Sequence, residues 1–215
     1  MFSEFAALAD GIPVESASPD DLAVRKVQLI GPVTLLRTET ETLHTSIRRI
    51  RAGLDTLLEL HPDLDELWLD EPMLSDAPDD WLRLLGHTVR ALKTEYLGVR
   101  VGVHSCGNFR DLDLSSVDAD VWALDLHRDF DAVLDTWARA KPNAEIVWSV
   151  IPTTGEAISS DLPARIYRAH QELQPDRPLR VSTACGLGTR KERTVEAVLK
   201  HQQDLVRALQ ELAAK

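Results

Sequence analysis

From residue 27 onward, two rhythms of apolar residues alternate along the chain. Short runs at Val27-Gln28-Leu29-Ile30, Glu66-Leu67-Trp68-Leu69, 99–103, Asp120-Val121-Trp122-Ala123-Leu124, 145–150 and Leu179-Arg180-Val181-Ser182-Thr183 are mostly apolar and close in turn-forming or polar residues. They predict six strands. Between them the spacing changes to three and four. Leu43, Ile47, Ile50, Leu54, Leu57 and Leu58 predict an amphipathic helix over 41–60, ended by His61-Pro62. Trp81, Leu85, Val89, Leu92 and Tyr96 predict a second over 80–96, and Val133, Leu134 and Trp137 a third over 130–140. Further helices are predicted over 162–173 and 191–212. Residues 1–26 carry a weaker pattern: a short helix over 2–9, a break at Gly11-Ile12-Pro13, and a helix start at Ser18-Pro19-Asp20-Asp21.

Strands that alternate with helices and are nearly continuous in apolar residues belong in a parallel sheet covered by helices. No linker or low-complexity tract interrupts the alternation, so 1–215 reads as one α/β domain with 1–26 as an irregular or helical leading segment. Composition agrees with this. Apolar residues at 44% and charged residues at 27% are ordinary for a globular protein, which argues against disorder. A net charge of −11 disfavours nucleic acid as a partner, and the basic run Arg190-Lys191-Glu192-Arg193 reads as a solvated first turn of the last helix. No apolar window reaches the length of a membrane span and the first residues lack a signal pattern, so a cytoplasmic location is expected.

The polar residues share an address. Gly31-Pro32, Asp70-Glu71-Pro72, His104 and Cys106, Asp125 and His127, Thr153-Thr154 and Cys185 all follow their strands, at the edge where parallel α/β folds build their sites. His104 and Cys106 are two apart, so on an extended strand they face one side and can chelate a metal. Cys185 is the second of only two cysteines and closes the last strand in Ala184-Cys185-Gly186-Leu187-Gly188. Two cysteines do not make a disulfide framework; they are metal ligands, free thiols or inert core residues.

Four segments in order carry a resemblance: Gln28-Leu29-Ile30-Gly31-Pro32-Val33-Thr34-Leu35, Leu69-Asp70-Glu71-Pro72, His104-Ser105-Cys106 and Ser182-Thr183-Ala184-Cys185-Gly186-Leu187-Gly188-Thr189-Arg190. Together they resemble the catalytic domain of cobalamin-independent methionine synthase, which belongs with uroporphyrinogen decarboxylase and the methylcobamide:thiol methyltransferases. The resemblance implies a TIM-barrel-like (β/α) fold, here incomplete with about six parallel strands. It implies a zinc ion held by His104, Cys106 and Cys185, with Asp125 matching a glutamate ligand and His127 as second choice for that fourth position. It assigns Asp70 and Glu71 to the catalytic set, and Asp70, Gly31 and Thr34 to binding a small amino thiol such as homocysteine. Without the resemblance, Asp70-Glu71-Pro72 reads as a turn capping the next helix.

The match also departs from the family. Residues 1–26 show neither the first barrel strand with its Ile-Gly-Ser type motif nor a second strand, and the synthase's folate-binding amino-terminal domain has no counterpart. Thr153 and Thr154 stand where the synthase carries a histidine. The expected donor is therefore methylcobalamin, carried for instance on a corrinoid protein, rather than methylfolate. A zinc-dependent thiol methyltransferase is the leading reading. The alternative is a remodelled, non-catalytic barrel that keeps the metal and serves as a subunit. Six strands of eight also leave edges at 27–30 and 179–183, so a homo-oligomer or an obligate partner is expected.

Overall fold

The computed structural model describes residues 26–38, 43–60, 62–76, 78–107, 113–140 and 143–214. The expectations for the first 25 residues fall outside them. Six strands form one parallel sheet in sequence order: β1 (Lys26–Ile30), β2 (Glu66–Asp70), β3 (Arg100–Ser105), β4 (Val121–Asp125), β5 (Glu145–Ile151) and β6 (Arg180–Thr183). The helices are α1 (Pro32–Thr38), α2 (Leu43–Leu60), α3 (Asp79–Glu95), α4 (Phe130–Ala140), α5 (Leu162–Leu173) and α6 (Glu192–Ala213). Single-turn 3₁₀ segments stand at Leu74–Asp76 and Leu114–Ser116. All six predicted strands and the five predicted helices are present, their ends shifted by one or two residues.

The sheet is curled. Arg180 Nη1 on β6 lies 2.8 Å from Glu66 Oε1 on β2, four places away in the sheet. A flat sheet would separate those strands by about 19 Å. The result is a half-barrel, an incomplete form of the (β/α) barrel. Among the described residues, β1 and β6 each pair on one side only.

Alternation along each strand divides its side chains between two layers. Leu67, Leu69, Val101, Val103, Trp122, Leu124, Ile146, Trp148, Val150 and Val181 point outward into the main core, where Leu54, Leu85, Val89, Val133, Trp137, Ile166, Val198 and Leu209 of the helices meet them. Trp68, Val121, Ala123 and Val147 make a smaller cluster on the concave side. Gly102 makes room for Trp68: a Cβ there would come within 2.6 Å of the indole ring.

Helix α1 is a correction to the sequence pattern, which predicts no helix between the first strand and residue 41. It is short, and its apolar residues are too few to show a period. Its signal is Pro32 at the first helical position, where a missing N–H costs nothing and the fixed φ suits the helix.

Candidate metal centre

The ends of β1, β2 and β3 are tied together by the backbone. The Gly31 N–H donates to the Asp70 carbonyl at 2.9 Å, and the Glu71 N–H donates to the His104 carbonyl at 2.8 Å. The Ser105 hydroxyl donates to the Glu71 carbonyl at 2.6 Å. These bonds extend the sheet by one residue and fix how Asp70, His104 and Cys106 leave it.

His104, on the concave face of β3, is buried, while Cys106 one step past the strand end is half-buried and Cys185 after β6 is exposed. Their ligand atoms lie within 4.8 Å of one another, and the two sulfurs are 3.7 Å apart, sharing a hydrogen bond. The cysteines are 79 positions apart in sequence, and the curl of the sheet brings them together. Contact with Cys185, then burial, pushes the Cys106 thiol up; contact with Cys106, then with His104, holds the Cys185 thiol well below its usual range.

The donors fit a zinc ion on chemical and geometric grounds. Imidazole nitrogen and two thiolates are a zinc donor set. Tetrahedral coordination with Zn–S near 2.3 Å separates two sulfurs by about 3.8 Å, close to the spacing present. Three protein ligands leave a fourth position, which is how catalytic zinc sites are built.

Asp70 is next to this cluster, its Oδ1 3.8 Å from His104 Nε2 and its side chain 43% exposed. Burial raises its carboxyl pKa, against the pull of His104. Asp125 and His127 stand outside the three-residue cluster. The Asp125 carboxylate ends β4 and accepts the His127 N–H at 3.0 Å; burial pushes its pKa up. The His127 ring turns to Glu156, with Nε2 2.9 Å from Oε1.

Glu71, Gly31 and Thr34 form a unit of their own. The Glu71 carboxylate is fully buried and caps α1: it accepts the Val33 N–H at 2.9 Å, the Thr34 N–H at 2.8 Å and the Thr34 hydroxyl at 2.7 Å. Burial pushes its pKa up to about 7, with the three donors pulling the other way. A side chain at Gly31 would overlap that carboxylate. The Asp70-Glu71-Pro72 turn, which in sequence reads as a cap on the helix after it, thus caps the helix before it.

Two further polar contacts line the same mouth. Ser149 and Ser182 share a hydrogen bond of 2.7 Å on the concave face, and Arg190 Nη2 donates to the Thr153 hydroxyl at 3.0 Å. Their signal in the sequence is their position at strand ends.

The family model described as the cobalamin-independent synthase, catalytic domain, matches residues 29–208. The chain belongs to this family. A search of curated proteins finds no match. Membership makes the chain a methionine-synthase-like catalytic domain with a His/Cys/Cys cluster able to hold a metal. Among the described residues, no helix is long and apolar enough to cross a membrane.

Proposed function

We propose that the chain is a zinc-dependent methyltransferase that activates a small thiol, homocysteine or a close relative, as the methyl acceptor. The observation that carries this reading is the convergence of His104, Cys106 and Cys185 at the carboxyl end of the half-barrel, beside Asp70. When bound, zinc would lower the pKa of a substrate thiol and keep its sulfur nucleophilic at neutral pH. His104 and the two cysteines would hold the ion, the thiolates offsetting its charge. Asp70, half-exposed beside His104, is placed to receive the substrate's ammonium group. Glu71, Thr34 and Gly31 act one step back: by clamping α1 to the end of β2 they set the direction in which Asp70 projects.

The family description bears on the choice of donor. A cobalamin-independent synthase points to a methylated folate. Methylcobalamin, free or on a corrinoid protein, was suggested by the threonines at 153 and 154, and is the second donor to try. Thr153 is buried and held by Arg190, so it closes the wall where a histidine would project. A homo-oligomer or partner remains part of the proposal, motivated by the one-sided pairing of β1 and β6.

The test is zinc content together with methyl transfer. Tag-free protein should carry about one zinc per chain and convert homocysteine to methionine with at least one of the two donors. Absence of zinc, with Cys106→Ala and Cys185→Ala indistinguishable from wild type, would overturn the reading. Stoichiometric zinc without transfer from either donor to homocysteine, coenzyme M or cysteine would overturn the catalytic part and leave a metal-binding subunit.

A further inference from the structure

At the opposite end of the strands, on the concave side, the first residue of five strands is charged: Lys26 on β1, Glu66 on β2, Arg100 on β3, Glu145 on β5 and Arg180 on β6. Four of them close a ring. Arg100 lies 2.9 Å from Glu66 and 2.7 Å from Glu145; Arg180 lies 2.8 Å from Glu66 and 3.1 Å from Glu145. Two carboxylates and two guanidiniums balance one another, and all but Arg100 are buried.

Lys26 is the surplus cation. It is Glu66's register neighbour, yet among the described residues no carboxylate lies within ion-pair distance of its ammonium, which sits 4.4 Å from the centre of the Trp68 ring. Arg180 has unused capacity as well. Its side chain is 7% exposed, and its Nε–H is buried without a hydrogen-bond partner. Around the arc the charges run positive, negative, positive, then past Val121 negative and positive. The two strands that flank the opening, β6 and β1, therefore both present a cation. A half-buried ammonium without a carboxylate and a buried N–H without an acceptor are both costly, and the strands that carry them flank the same gap.

We propose that the opening between β6 and β1 is a carboxylate site, in which one carboxylate bridges the Lys26 ammonium and the Arg180 Nε–H. A carboxylate restores the alternation and satisfies both donors, as a charge-assisted hydrogen bond to each. It can arrive free in solution or on a second copy of the chain. The site lies at the opposite strand ends from His104, Cys106 and Cys185, with Asp70 the charged group that Lys26 feels from that side.

Without a carboxylate, burial, then the charge of Arg180, holds the Lys26 ammonium down at about 8, against the pull of Glu66 and Asp70. Arg100 and Glu145 are the other charges on this face. The experiment is to titrate Lys26 in the full chain carrying ¹³C-labelled lysine, in chloride and in acetate at equal ionic strength, at several protein concentrations. A Lys26 pKa that is depressed in chloride and climbs toward its ordinary 10.5 in acetate supports a free carboxylate. A pKa already near or above 10.5 in chloride that falls on dilution supports a carboxylate from a second copy, whereas one that stays near 10.5 at every dilution is that of an ordinary lysine and overturns the proposal. A pKa that stays near 8 in acetate and at every concentration overturns the proposal. As a second measurement, Lys26→Met should abolish any rise in Tm on replacing chloride by acetate, and Lys26→Arg should keep it. An acetate effect that survives in Lys26→Met counts against the site.

Discussion

The two ends of the same six strands hold polar groups for opposite purposes. At the amino ends, Glu66, Arg100, Glu145 and Arg180 meet in a ring where each carboxylate has two guanidinium partners. At the carboxyl ends, His104, Cys106 and Cys185 crowd three donors of lone pairs into one place, with the Asp70 carboxylate beside His104. A ring of opposite charges stabilises a fold, and what it leaves for a ligand is confined to the Arg180 Nε–H and the neighbouring Lys26. A convergence of like donors is tolerable only if a cation completes it. The difference separates scaffold from site without any appeal to family, and each prediction below probes one side of it.

The largest effect belongs to the carboxyl end. Cys106→Ala or Cys185→Ala removes one of three ligands, so zinc per chain should fall from about one to below about a tenth, with methyl transfer falling in parallel. Elemental analysis and the transfer assay check this. Folded, zinc-loaded Cys185→Ala protein would show that the convergence is not a metal centre.

Next comes the ring. Arg180→Met leaves Glu66 and Glu145 with one guanidinium partner each in a buried place, which should cost about 3–5 kcal/mol in denaturant unfolding. The folded fraction should still bind one zinc. Loss of zinc from folded Arg180→Met would mean that the two ends are not separable.

Gly31→Ala tests the clamp between them. The new methyl group overlaps the Glu71 carboxylate, and the expected cost is about 1–3 kcal/mol. Because Glu71 leads directly out of Asp70, KM for the thiol should rise more than zinc content falls. An unchanged KM would detach Asp70 from the acceptor.

These contrasts were unequally legible in the sequence. The half-barrel was, because period-two and period-3.6 runs alternate cleanly and every predicted strand is present. The metal cluster was too, since His104 and Cys106 are local and Cys185 is the only other cysteine. The ring was not, although its signal is simple: five strands begin with a charged residue. Those residues read as solvated strand ends when strands are taken one at a time, and only curling turns them toward one another. Asp125 stands at the expected strand end, and its Oδ1 accepts the backbone N–H of His127, a local contact that spacing cannot reveal.

The smallest effect is the ring's response to acid. Burial would raise the Glu66 pKa, but Arg180 outweighs it and the carboxyl ends below its ordinary 4.5. The folded state thus binds the proton less readily than the unfolded chain. Stability from Glu66 is complete above pH 4.5 and drains away as pH falls through the lowered folded value. In chelator-treated protein, where metal release cannot contribute, Tm should drop more steeply below pH 4.5 in the wild type than in Glu66→Gln, which has no proton to take up at that position. Equal slopes would mean that the ring holds its carboxylates no more tightly than water does, and the distinction between a closed end and an open one would lose its electrostatic basis.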